Sequence, residues 1–203
     1  GMGPALGAAH RNHPMMILEY DHQGYMNTGA QLSYSTPFGH RTSTSEVGTR
    51  LPGKRYHHKD TAQIFTACHI PYVCTVAESN PRDMVRKAAK AQKYAEEQGL
   101  CFVKMISMCP LAWRTEERVS VPIIQAAVDC CFFPLYEVEN GITTINYDPE
   151  EKGKKVPVTE WLKQMGKTKH MLKPDCKPEL DRFQAEVDRR WARLKAMHAH
   201  PLL

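Results

Sequence analysis

No apolar run in the 203 residues approaches the ~20 needed to cross a bilayer, and no apolar core follows a basic start in the first twenty residues. Neither a membrane-spanning segment nor a secretory signal is therefore predicted, and no membrane partner is expected. The seven cysteines lack regular spacing and mostly lie inside apolar patterns, which argues against a disulfide framework and fits a reducing cytoplasm. No Gly-x-Ser-x-Gly elbow is present, so nucleophilic serine chemistry has no support. His57, His58, Cys68, His69 and Cys74 match no tetrahedral zinc spacing. The excess of positive charge is small, +5, and the Lys and Arg of the last fifty residues are dispersed, as on a solvated face. No nucleic-acid partner is expected. Internal repeats and low-complexity runs are also missing.

What is present is an alternation of strand and helix patterns. "MMILEYD" (15–21) reads as a buried strand, "KDTAQIFTACH" (59–69) as a helix and "YVCTVA" (72–77) as a second strand. The next helix carries the strongest boundary signals: Asn80 as cap, Pro81 in the first position, Asp83 in the first turn and Gly99 at the far end. Its pattern predicts Met84, Val85, Ala88, Ala91 and Ala95 on the apolar side, with Arg86, Lys87, Lys90 and Lys93 outward. "CFVKMIS" (101–107) is a third strand, a helix starts near Val121 and Pro122, and "FPLYEVE" (133–139) is a fourth strand. "ITTINY" follows Asn140-Gly141 as its hairpin partner. A short helix around "VTEWLKQM" and a last helix with Leu180, Phe183, Val187, Trp191 and Leu194 in one stripe complete the chain.

This order predicts a doubly wound α/β core, a mostly parallel sheet with helices on both faces, over residues 2–147, and a C-terminal helical extension over 148–203. Ligands of such sheets bind beyond the carboxyl ends of the strands. Two loops leave strands there with suggestive residues. "DHQGYMNTG" (21–29) offers small residues for close backbone approach, two glycines that permit unusual dihedrals, and donors and acceptors at Asn27 and Thr28. On its residues alone the favoured reading is an Asx- and Gly-rich connecting loop, and its length shifts that reading only partly toward binding. "SMCPLAW" (107–113) places Cys109 just past a strand end, whereas Cys68, Cys74, Cys101, Cys130 and Cys131 read as core.

"YDHQGYMNTGAQLSYSTPFG", "IPYVCTVAESNP", "SMCPLAW" and "CCFFPLYEVENG", in that order, closely resemble the β subunits of pyruvate and related 2-oxoacid:ferredoxin oxidoreductases. The resemblance covers residues 15–141 and extends less specifically to the tail. It implies a thiamine-diphosphate-binding fold and oxidative decarboxylation of a 2-oxoacid, by likeness pyruvate, to an acyl-CoA, with electrons passed through a [4Fe-4S] cluster to ferredoxin. The implied partners are the α and other subunits of a hetero-oligomer, ferredoxin, the 2-oxoacid and coenzyme A. On the matching positions, Gly24 gives a carbonyl to Mg²⁺, Tyr25, Asn27 and Thr28 lie against the cofactor, Asn27 nearest the reacting carbon, and Cys109 is one of four cluster thiolates. His22 stands where the family has an oxygen ligand for Mg²⁺. The family's Gly-Asp-Gly and its remaining cluster cysteines do not occur in these residues. The chain is thus expected to correspond to the C-terminal two thirds of a β subunit, inactive alone. The alternative is a non-catalytic α/β interaction module that has lost its cofactor.

Overall fold

The computed structural model describes residues 1–49 and 51–200. A five-stranded sheet forms the centre, built from β1 (Met16–Asp21), β4 (Tyr72–Ala77), β5 (Cys101–Ile106), β6 (Leu135–Glu139) and β7 (Ile142–Tyr147) in the order β1-β5-β4-β6-β7. β2 (Val47–Gly48) and β3 (Leu51–Pro52) make a separate small hairpin. β1, β5 and β4 are parallel, in a register that aligns Met16 and Tyr72 with Cys101. β6 runs antiparallel to β4, with Tyr72 opposite Glu139, so the fourth strand departs from the parallel expectation. The chain after α5 (Ser120–Asp129) turns at once, through Cys131 at φ 62, and enters the sheet without crossing it. β7 pairs with β6 as a hairpin, as the Asn140-Gly141 turn predicts.

Helices cover both faces. α3 (Pro81–Glu97) packs Ala91 and Ala95 against Tyr72, Cys74, Val76, Cys101 and Val103. On the other face α2 (Thr61–Thr66) and α5 join Val73, Phe102 and Ile106 in the larger core, to which the short α4 (Pro110–Trp113) adds Trp113. Asn80 caps α3 by accepting from the Asp83 N–H, Pro81 opens it, and Gly99 follows it at φ 127, as the sequence indicates. Its faces are assigned less well. Lys87 is fully buried, its Nζ 2.9 Å from the Thr75 carbonyl and 2.7 Å from Asp83 Oδ2, whereas Val85 is exposed. Polarity in a helical pattern marks a side chain that needs partners, and here the sheet and the first turn supply them.

β1 is an edge strand, and Met16, Leu18 and Tyr20 are 44, 51 and 55% exposed, so the reading of 15–21 as buried fails for them; Ile17 and Glu19 are half-buried and only Asp21 is buried. α1 (Met2–His10) precedes it, unmarked by sequence pattern because glycine and proline weaken its start. Ala8 and Ala9 buried in the core outweigh that propensity. The C-terminal segment contributes α6 (Val158–Leu162), two 3-10 turns and α7 (Lys177–Ala199). Phe183, Val187, Trp191 and Leu194 of α7 are buried together with Trp161 and Trp113 in the same cluster as the sheet residues. Each such side chain removed from water stabilises the fold by roughly 1.5–3 kcal/mol, so the segment is bound to the core as firmly as the helices flanking the sheet.

Candidate functional site

The loops leaving β1, β4 and β5 meet at the carboxyl edge of the sheet. The β1 and β5 loops are joined by three bonds. Ser107 N donates to the Asp21 carbonyl at 3.1 Å, His22 Nδ1 to the Ser107 carbonyl at 3.1 Å, and Trp113 Nε1 to the His22 carbonyl at 2.9 Å. Because a carbonyl only accepts, Nδ1 carries the proton of that bond and Nε2 is left free of it. From the β4 loop, Glu78 Oε1 and Ser79 Oγ are buried without a partner among the described residues. Burial raises the Glu78 pKa, and nearby His22 opposes the rise.

Asp21 starts the polar loop. Its Oδ1 accepts from Gln23 N at 2.8 Å and its Oδ2 lies 3.1 Å from the buried Lys104 ammonium, which also meets Glu19 at 3.0 Å. Burial alone would lower the Lys104 pKa, but Asp21 and Glu19 outweigh it and the net shift is upward. Gln23 alone then takes φ 65, and a left-handed pair follows at Gly29 (φ 117) and Ala30 (φ 57). The unusual dihedral expected at Gly24 thus falls on Gln23 instead. Gly24 is needed for space: a Cβ there would stand 2.7 Å from Met26 Cε and 3.0 Å from the Gln31 carbonyl. Tyr25 and Gln31 exchange backbone hydrogen bonds at 3.0 and 3.1 Å and close the loop.

Side chains remote in sequence hold this shape. Thr36 Oγ1 donates to the Gln23 carbonyl at 2.7 Å, and the buried Lys54 ammonium donates to the carbonyls of Ser33, Tyr34 and Thr36. Lys167, from the C-terminal segment, donates to Gln23 Oε1 at 2.7 Å while lying 4.1 Å from the Trp113 ring centre. Burial pulls the Lys167 pKa well down, with Asp21 and Cys109 acting in the opposite direction. His170 Nε2 meets the Gly39 carbonyl at 2.8 Å, and Gly166 N donates to the Arg114 carbonyl at 3.2 Å. None of these lysines carried a sequence signal, since their partners lie up to 144 positions away. The acid of "AESNP", Glu78, had only its place after a strand to mark it.

The nominated residues divide. Cys109 is half-buried and shares a cleft of about 310 Å³ with Met26, Gly29, Ala30, Leu111 and Ala112. His22 and Gly24 lie half-buried below the rim, while Tyr25, Asn27 and Thr28 are exposed on the loop's crest and do not line the cleft. Cys74, Cys101, Cys130 and Cys131 are buried as expected; burial raises the thiol pKa of all four, to about 12 in Cys74, Cys101 and Cys131. Cys68, read as core, is only half-buried at the end of α2. A diphosphate group fits the wall of this cleft that Gly29 and Ala30 line with little side chain, the space beside Gly24 being filled by Met26 and the Gln31 carbonyl. A complete Mg²⁺ site does not, because Asp21 is already committed to Lys104 and no group of three His, Cys, Asp or Glu is placed to hold a metal among the described residues. Nor does a four-thiolate cluster site, since Cys109 is the one cysteine in the cleft.

Residues 2–105, from α1 through β5 and including the whole polar loop, match the thiamine pyrophosphate enzyme family model for the C-terminal TPP-binding domain. The chain belongs to this family. Among curated relatives of this TPP-binding domain, pyruvate synthase subunit PorB of Thermotoga maritima is 38% identical over 195 residues, 96% of this chain and 58% of its own length. Ketoisovalerate oxidoreductase subunit VorB of Pyrococcus furiosus is 36% identical over 197 residues, 97% of this chain and 61% of its own. PorB of Methanocaldococcus jannaschii is 37% identical over 182 residues, 90% and 58%. The chain thus spans about three fifths of the length of the relatives it matches. No helix among the described residues is long and apolar enough to cross a membrane.

Proposed function

We propose that this TPP-binding chain acts in the β subunit of a 2-oxoacid:ferredoxin oxidoreductase, which converts a 2-oxoacid, coenzyme A and oxidised ferredoxin to acyl-CoA, CO₂ and reduced ferredoxin. The observation that carries the reading is the loop from Gln23 to Gln31, closed by the Tyr25–Gln31 backbone pair, whose Met26, Gly29 and Ala30 line one cleft with Cys109. When bound, thiamine diphosphate supplies the electron sink that makes loss of CO₂ possible. The protein's part is to bind and orient. Gly24 would offer its carbonyl to the magnesium ion, Tyr25, Asn27 and Thr28, exposed on the loop, would lie against the bound cofactor, and Cys109 would supply one thiolate to a [4Fe-4S] cluster. His22 acts as a tie rather than a ligand, because its Nδ1 proton is held by Ser107 and an imidazole suits a hard ion poorly. Residues 2–147 form the cofactor layer and residues 148–203 its brace, through Lys167 and His170. The names of the relatives cover pyruvate and a branched-chain oxoacid, and pyruvate is the proposed substrate. Assembly with α and the other subunits in the cytoplasm supplies the missing Mg²⁺ and cluster ligands.

The test is reconstitution of the chain within its assembled enzyme, followed by ferredoxin reduction with pyruvate, 2-oxoisovalerate and 2-oxoglutarate. Thiamine-dependent reduction with pyruvate is the expected result. An assembly that forms yet neither binds thiamine diphosphate nor reduces ferredoxin with any of the three would establish the non-catalytic module instead.

A further inference from the structure

A second cleft, of about 160 Å³, shares no lining residue with the first. It lies between the start of α2, the turn that follows α5, the first residues of β6 and the last turns of α7. Three guanidiniums line it, those of Arg189, Arg190 and Arg193. Arg189 and Arg190 both bond Glu186, and Arg190 also holds His58, through Nε2 at 2.7 Å and the carbonyl at 2.9 Å. Arg193 makes no ion pair or hydrogen bond among the described residues. The carboxylate of Asp60 lines the same cleft, but its Oδ1 is occupied by the Gln63 N–H as the cap of α2.

Two further groups need partners. Because an arginine only donates, His58 Nε2 is the acceptor and the proton sits on Nδ1, which is buried with no partner among the described residues. The buried Tyr136 hydroxyl accepts from Gln63 Nε2 at 2.8 Å, and its own proton has no acceptor among the described residues. Burial raises the Tyr136 pKa, so it remains a donor. Phe132, Pro134, Leu194 and Met197 supply an apolar wall.

We infer that this cleft binds a small organic anion, a carboxylate or phosphate head joined to one short apolar or aromatic group, with Arg193 and the Tyr136 hydroxyl on the head and Phe132 and Met197 on the tail. An arginine fork and a fixed hydroxyl match an anionic head, and the apolar wall selects against an inorganic ion. The inference does not rest on the thiamine reading.

Ligand-observed NMR on the full chain tests it with phenylacetate, phenyl phosphate, inorganic phosphate and neutral phenylacetamide. Expected is binding of phenylacetate or phenyl phosphate at least about tenfold tighter than of phenylacetamide and of inorganic phosphate, the better of the two naming the head group. Arg193→Gln and Tyr136→Phe each weaken that probe by about tenfold, while Arg118→Gln, on the exposed segment before α5, leaves it unchanged. Arg193 is exposed, so its variant folds, and an unchanged melting temperature verifies this. Equal binding of the neutral probe, an unaffected Arg193→Gln variant, or no binding of either organic anion at millimolar concentration would overturn the inference.

Discussion

Gly24→Ala is the sharpest probe of the loop. The added methyl would stand 2.7 Å from Met26 Cε and 3.0 Å from the Gln31 carbonyl. Gly24 is not in the left-handed region, so the cost is crowding and not backbone strain. Met26 Cε is the free end of a flexible side chain and yields cheaply. The Gln31 carbonyl is backbone, and it accepts from Tyr25 N in the pair that closes the loop, so that pair must open by a few tenths of an ångström. Over-packing of this kind costs about 1–3 kcal/mol, and with half the clash relieved by Met26 the lower end applies. At about 2–4 °C per kcal/mol for a chain of this size the melting temperature falls only slightly. Opening that pair also shifts the Gly24 carbonyl, and loss of its one proposed contact to the magnesium diphosphate, about 1.4 kcal/mol, weakens thiamine diphosphate about tenfold. Calorimetric titration of the assembled enzyme with thiamine diphosphate and Mg²⁺ measures this directly. A Gly24→Ala enzyme that binds the cofactor as tightly as the parent would refute the assignment of this backbone to the diphosphate.

Three other predictions concern single side chains. The Lys54 pKa is pulled to about 8 by burial and by Lys59, against the pull of Asp21, while in the unfolded chain it returns to its ordinary value of 10.5. Between those values the unfolded state binds more protons, so this group's contribution to stability rises with pH from about 8 to 10.5. Denaturant titrations of parent and Lys54→Met across that range should diverge accordingly, and parallel curves would contradict it. Lys87→Ala removes a buried ammonium from Asp83 and Thr75 and should cost about 3–5 kcal/mol, with Lys87→Met costing less because it refills the space; equal melting temperatures for the two variants would count against that account. Cys109→Ala should leave the melting temperature of this half-buried position nearly unchanged but remove the electron paramagnetic resonance signal of the proposed iron–sulfur cluster in the assembled enzyme. A normal signal from that variant would show that Cys109 is not a ligand.

Legibility followed the range of the interactions. The ends of α3 could be read because Asn80, Pro81 and Gly99 act on neighbours within one turn. The stripe of α7 was equally clear, but its destination was not: only the fold shows that Phe183 and Trp191 join the core of their own chain. Lys87 was misplaced because a helical pattern records polarity and not the company a lysine keeps. The antiparallel entry of β6 depended on the turn at Cys131, whose φ of 62 no residue type announces. At the candidate site the loop's composition marked the place, and its relation to Cys109 followed from strand order. The supports at Lys54, Lys167 and His170 were invisible, each being tied to backbone or amide groups distant in the chain.

The bond from Lys167 to Gln23 also sets a timetable. The loop emerges from the ribosome early, but its anchor is made 144 residues later. At typical synthesis speeds that interval is roughly ten to thirty seconds, during which the loop depends on its local ties, the Tyr25–Gln31 backbone pair, Thr36 and Lys54.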